Sequence, residues 1–325
     1  MLSNELVATE PKFCDYPGFW RVELPENITM EPGDDFYVMV KYHSPGLDFP
    51  IAVEGVEEGY TVPTIESGKC WSGEDGVNWE AWGTGTSNEF DICIKTYGYD
   101  VARLDVKVFL EGPFDGTGMN SDLTGLQDFP DAQPYNAAPW YYPGTENCDD
   151  PDSEIVDWVL LELRETGGGV ETAVQETIVE RQAVLLKTDG SVVATDGESL
   201  PVFNINVKEN LFAVVYHRNH LPVISGQPLQ KINGIYSWDF TDGPDKAYGN
   251  TDGQKYLGNG IYGLKAGEGL PDGLIEESDI SDSWNGEAGQ SGYKQSDFNL
   301  DAVTGNKDKN DIWAPNRGGS SQVPQ

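Results

Sequence analysis

The sequence predicts a mainly β protein: two antiparallel β-sandwich domains followed by a small C-terminal loop-helix module. Three observations carry that expectation. Short runs alternate apolar and polar residues, as half-buried strands do. Gly (38) and Pro (20) are frequent enough to supply many turns. Hydrophobic residues make up 38% and aromatics 11% of the chain, enough to fold rather than stay disordered. At 325 residues the chain exceeds one ordinary core, and we divide it at 1–107, 108–238 and 239–325.

In the first block, WRVEL (Trp20 to Leu24) and FYVMVKY (Phe36 to Tyr42) alternate, with Glu31-Pro32-Gly33-Asp34 as turn chemistry between them. EFDICIKTY (Glu89 to Tyr97) is a further alternating run. In the second block, VDWVLLELRE (Val156 to Glu165) has the length of a helix. Its Val and Trp content and the stop at Gly167-Gly168-Gly169 favour a strand. RQAVLLKTDGSVVAT reads as two strands across Asp189-Gly190, and FNINV and LFAVVYH continue the pattern. Leu123 to Asp152 is expected as a long ordered loop whose aromatics Phe129, Tyr135, Trp140, Tyr141 and Tyr142 seek burial. Beyond Asp239 the composition shifts to Gly, Asp and Asn, with short helices expected over Glu276 to Trp284 and Asn306 to Trp313.

The formal charge of −35 argues against a nucleic-acid binder, because a polyanion gains affinity from Lys and Arg. It disfavours an anionic bilayer surface equally, and no apolar run is long enough to span a membrane. The opening residues MLSNELVATE lack a signal peptide, so the chain is cytosolic or begins inside a longer precursor. Cys14, Cys70, Cys93 and Cys148 include no CxxC, which disfavours a zinc cluster and leaves disulfides and buried thiols both open.

The chemistry concentrates near the C-terminus. DFNLDAVTGNKD places oxygens at loop positions 1 (Asp297), 3 (Asn299), 5 (Asp301) and 12 (Asp308), the spacing that folds a short loop around a hard cation. A backbone carbonyl near Val303 would complete the shell. Some thirty residues earlier, Glu268, Asp272 and Asp279 take positions 1, 5 and 12, with Gly273 at the sharp turn. Leu270 replaces the oxygen at position 3 there, and Ala302 replaces the turn glycine in the later copy. Ca2+ is the expected ion; a solvated acidic tail is the plain alternative.

Two further groups stand out. HRNH (His217 to His220) lacks a third ligand for a metal, and we read Arg218 and Asn219 as fastening a turn by hydrogen bonds. Tyr60, Trp71, Trp79 and Trp82 offer rings on which a sugar could stack, although core burial accounts for aromatics equally well. Paired carboxylates are too abundant to single out, and the Gly-rich segments are turns.

The paired acidic loops resemble a dockerin-type calcium module. GQSGYKQSDFNLDAVTGNKDKNDIWAPNRGGSSQVP is similar to the C-terminal end of large secreted bacterial surface proteins. Their β domain resembles the block at Val108 to Gly226 through VFLEGPF, AQPYNAAPWYYPG, IVDWVLLELR, QAVLLKTDGSVV and VVYHRNHLPVIS. Such domains are called adhesin- or haemagglutinin-like. GFWRVELPENITMEPGDDFYVMVKYHSPGLDFPIAVE, ESGKCWSGEDGVNWEAW and FDICIKTY resemble the lectin-like domain of some secreted papain-type peptidases, here without a catalytic Cys–His pair. That family has strands before the point matched by Leu6 and Val7, so the resemblance implies a sandwich entered partway. Together these imply an extracellular or cell-surface, calcium-stabilised structural or adhesive protein rather than an enzyme. Its partners would be copies of itself, joined by β-strand complementation into a filament or surface layer, and extracellular polysaccharide. The alternative is a carbohydrate-binding accessory region of a larger secreted hydrolase or peptidase.

Overall fold

Alternation alone does not make a strand; a paired neighbour does. The computed structural model describes residues 11–14, 20–22, 24, 28, 30, 35–46, 51–74, 76–97, 101–149 and 151–325. Contacts divide the chain into two units, Met1–Thr96 and Tyr97–Gln325. In the first, β1 (Val53–Glu54) pairs antiparallel with β4 (Asp91–Ile92), and β2 (Cys70–Ser72) with β3 (Glu80–Trp82). The run EFDICIKTY thus contributes β4. FYVMVKY differs from expectation: its residues join no ladder among the described residues, and Phe36, Tyr37, Val38, Met39, Val40 and Tyr42 stand exposed. Trp20 to Val22 and Leu24 likewise form no strand, and the Glu31–Asp34 turn lies outside the described residues.

The second unit begins with β5 (Ala102–Lys107) and is built on two sheets. One contains, in spatial order, β11 (His220–Ile224), β10 (Asn210–His217), β6 (Ile155–Thr166), β7 (Ile178–Lys187) and β8 (Val192–Val193), all antiparallel. The first ten residues of β6 are buried in succession, so it is the central strand covered on both faces, which explains its unbroken apolar character. The Asp189-Gly190 turn joins β7 to β8 as its sequence predicts: Gly190 has φ +88°, and Asp189 Oδ1 accepts the Ser191 amide at 2.9 Å.

The other sheet runs β12 (Gln230–Ile232), β13 (Ile235–Asp239), β5 and β9 (Val202–Phe203). Here the all-antiparallel expectation fails, because β13 pairs parallel with β5, Ile235 opposite Arg103 and Asp239 opposite Lys107. A parallel neighbour requires a long crossover, and everything between the two strands supplies it. Only Phe203 of FNINV lies in a strand. The hairpin β14 (Lys255–Gly258) and β15 (Ile261–Gly263) follows.

One apolar cluster draws on both sheets, with Leu104, Val106, Trp158, Leu160, Val184 and Val215 among its fully or nearly fully buried members. The loop Leu123 to Asp152 does cover it: Phe129, Tyr135 and Tyr142 are buried, Trp140 is half-buried, and only Tyr141 is exposed. Tyr135 donates its hydroxyl to the Trp158 carbonyl at 2.7 Å. A second cluster encloses Val323 with Phe212, Val214 and Ile224. Beside it, buried Arg164 pairs with Glu162 at 2.8 Å and donates to the carbonyls of Ala173 and Pro324. The four cysteines carry no disulfide.

Candidate functional site

The segment 268–308 folds as two copies of one loop, each followed by a helical stretch. Asp279–Trp284 continues into Asn285–Glu287, and Asp308–Trp313 into Ala314–Asn316, as the sequence predicts. The copies agree position by position. At position 1, Glu268 accepts the amide of Gly273, and Asp297 that of Ala302 at 2.9 Å. At position 5, Asp272 accepts the Leu274 amide at 3.0 Å, and Asp301 the Val303 amide at 3.2 Å. At position 12, Asp279 accepts the amides of Leu270 (2.9 Å) and Glu276 (2.7 Å). Asp308 accepts those of Asn299 (3.1 Å) and Gly305 (2.6 Å), with Phe298 at 2.7 Å in addition. The turn residue is left-handed in both, φ +90° at Gly273 and +67° at Ala302. Asn299 donates its side-chain amide to Asp301 at 2.9 Å.

Glu268, Asp279, Asp297 and Asp308 are all buried. Burial pushes Asp297 up to about 7, against the pull of Arg218 and with the repulsion of Asp308 and Asp301. Burial likewise raises Glu268, Asp279 and Asp308, the first with repulsion from Asp279 and Asp272. This donor chemistry suits a hard cation: oxygens only, buried, and costly to ionise without a counter-charge. Among the described residues, however, no three His, Cys, Asp or Glu side chains converge tightly enough to hold a metal ion. The carboxylates instead close the loops on backbone amides. Asp272 and Val303 are exposed, and Asn299 and Asp301 half-buried.

The HRNH tetrapeptide, together with Asp157, Tyr293 and Gly112, forms a buried polar hub. Asp157 on β6 accepts bonds from His217 Nε2 (3.1 Å), Arg218 Nε (2.9 Å) and the Tyr293 hydroxyl (2.7 Å). The Gly112 amide donates to His220 Nε2 at 3.3 Å, so that ring carries its proton on Nδ1, 3.0 Å from His217 Nδ1 and 2.8 Å from Asn219 Oδ1. Every proton is placed with both rings neutral. Burial lowers His217 and lowers His220 further, where His217 and Arg218 add to it. Although burial opposes its charge, Arg218, His217 and Tyr293 hold Asp157 down at about 2. Asn219 donates to the carbonyls of Gln295 (3.0 Å) and Asp297 (2.7 Å), and Arg218 to that of Lys294 while lying 4.2 Å from the Tyr293 ring centre. Arg218 and Asn219 therefore fasten more than a turn: they tie the sheet to the second acidic loop. Sequence reasoning missed Asp157 and Tyr293, since neither stands in a motif. Gly112 is required by the close approach; a Cβ there would meet the Phe298 carbonyl oxygen at 1.9 Å.

The aromatic candidates lie in the first unit, and the β2–β3 register sorts them. Trp71 faces Ala81 across the hairpin and Trp82 faces Cys70, which places the two tryptophans on opposite faces. Extending the register sets Trp79 across from Gly73, on the Trp71 face. Trp71 is 37% and Trp79 46% exposed, and Tyr37 lies 6.4 Å from Trp71, ring centre to ring centre. Trp82 is half-buried, donates to Ser72 Oγ at 2.9 Å and packs against Phe90. Tyr60 is 93% exposed in a separate turn that Glu57 closes, and shares no ring contact with the tryptophans among the described residues.

The family model described as lectin like domain matches residues 1–98. No curated protein and no solved structure matches the chain.

Proposed function

We propose that the chain is an extracellular structural or adhesive protein whose first unit makes the contacts and whose second unit is a rigid, calcium-stabilised base. The observation that carries this reading is the lectin-like match over residues 1–98, which fits a carbohydrate-binding or adhesive role. The exposed segment Phe36 to Tyr42 supports assembly through it: a run of exposed apolar side chains rich in Val and aromatic residues suits pairing with a strand of another copy, which would complete a sandwich. A contact of that kind, repeated head to tail, yields a filament or surface layer. In this reading the two loops over 268–308 form a dockerin-like module in which Asp297, Asn299, Asp301, Asp308 and the Val303 carbonyl hold Ca2+. Glu268, Asp272 and Asp279 form the weaker copy. Negative-stain electron microscopy of the purified protein with calcium tests the assembly. Ordered polymers support it, and monodisperse monomers overturn it.

The shared face of Trp71 and Trp79 favours a second reading, a carbohydrate-binding accessory region of a larger secreted hydrolase or peptidase. Retention on insoluble polysaccharide that vanishes in Trp79→Ala supports it; equal retention of the variant counts against it.

A further inference from the structure

Three residues remote in sequence meet beside the second acidic loop. Glu111 follows β5, Lys255 opens β14, and Asn316 ends the last helical stretch. Lys255 Nζ lies 2.5 Å from Asn316 Oδ1 and 3.3 Å from Glu111 Oε1. The Asn316 side-chain amide donates to Glu111 Oε2, and also to the Ala266 carbonyl at 2.9 Å. Glu111 Oε2 further accepts the Ala266 amide at 3.1 Å. Asn316 is 6% exposed, and the Glu111 and Lys255 side chains 12% and 30%. The other nearby lysine, Lys265, is directed elsewhere, donating to the Asp252 carbonyl at 2.6 Å.

One carboxyl therefore touches an amine through one oxygen and a carboxamide nitrogen through the other, while the amine touches the same carboxamide. That is the arrangement an acyl transfer needs: nucleophile, electrophile and leaving group in contact, with a single acid–base group spanning them. We propose that Lys255 and Asn316 join in an intramolecular amide bond, with Glu111 as the catalytic acid–base.

The step balances without a further reactant. A proton passes from Lys255 Nζ to Glu111 Oε1, leaving a neutral amine whose lone pair attacks Cγ of Asn316. The new C–N bond forms as the carbonyl π electrons move onto Oδ1. The tetrahedral centre collapses, the Cγ–Nδ2 bond breaks as Glu111 delivers its proton to Nδ2, and the ammonia released takes the remaining extra proton from the new amide nitrogen and leaves as ammonium. The lysine ammonium and the carboxamide become one secondary amide and one ammonium ion. The product cross-links positions 255 and 316, enclosing both acidic loops in one covalent ring, so denaturation could no longer separate their flanks.

The intact mass of the full chain, measured under denaturing conditions, tests this directly. The expected value is lower than the sequence mass by one ammonia, with a peptide holding Lys255 joined to one holding Asn316 after proteolysis. Lys255→Arg and Glu111→Gln are expected at their full sequence masses. A wild-type chain at full mass overturns the proposal whether or not any variant folds. So does a deficit that persists in Lys255→Arg.

Discussion

Trp284 and Trp313 occupy the same place in the two loop copies and reach into each other's loop. Trp284 Nε1 donates to the carbonyl of Gly305 at 3.0 Å, and Trp313 Nε1 to that of Glu276 at 3.1 Å. Both acceptors stand at position 9 of their loops, so the exchange is reciprocal and the copies are related by an approximate two-fold. Each indole fastens the loop it does not belong to, and neither copy is complete alone.

Trp284→Phe and Trp313→Phe should each lower unfolding free energy by about 1–2 kcal/mol, the cost of a lost hydrogen bond with a carbonyl left unpartnered. Because the two bonds lock one interface, the double variant should cost less than the singles added. Urea titration of all four proteins gives the coupling; strict additivity would show that the loops behave independently.

Ala302→Gly should stabilise the second loop. Ala302 sits at φ +67°, where a Cβ costs about 1 kcal/mol and glycine is free of that strain. Ala302 also packs against the main cluster, so the net gain should be smaller, about 0.5 kcal/mol. The matching Gly273→Ala, at φ +90°, should move the other way. Thermal melts of both variants check the opposite signs.

Chelation should lower the melting temperature by several degrees, since an ion bound only to the native state stabilises it by mass action, about 2.7 kcal/mol at a hundredfold excess over Kd. Asp308→Asn should respond less to EDTA than the wild type, keeping only the response of the weaker copy. A wild-type melt that EDTA leaves unchanged would remove calcium from the account.

Acid should weaken the hub. His217 and His220 have lowered affinities for protons in the folded state, so below about pH 6.5 the unfolded chain binds protons that the folded chain does not. Their contribution is fully present above that pH and is lost as acidity rises, over a wider range for His220, whose proton affinity is lowered further. Asp157, depressed to about 2, keeps its own contribution until far lower pH. Stability measured from pH 7.5 to 5 should decline, and His220→Gln, less stable at pH 7.5, should decline less steeply.

How much of this was legible in the sequence follows from how local each signal is. VDWVLLELRE and the Asp189-Gly190 hairpin are written in neighbouring residues, and both appear where expected; the oxygen spacing of the acidic loops is equally local in the sequence. The parallel pairing of β13 with β5 was not legible, because nothing in Ile235–Asp239 names Ala102–Lys107 as its neighbour. FYVMVKY has the β-branched and aromatic content of a strand, yet composition does not show that a partner strand is present. The hub was half-visible: HRNH stands out, whereas Asp157 is hidden in an apolar run and Tyr293 in a loop. The meeting of Glu111, Lys255 and Asn316 had no local signal at all.

Arg164 and Pro324 are 160 residues apart, and the guanidinium that joins them is buried with Glu162 as its counter-charge. During synthesis Arg164 leaves the ribosome long before the carbonyl that completes its shell. The second unit therefore has a waiting period in which its central sheet can form while one buried cation stays partly unsatisfied. A nascent chain of this protein would hold an open seam beside Phe212 until Val323 arrives to close it.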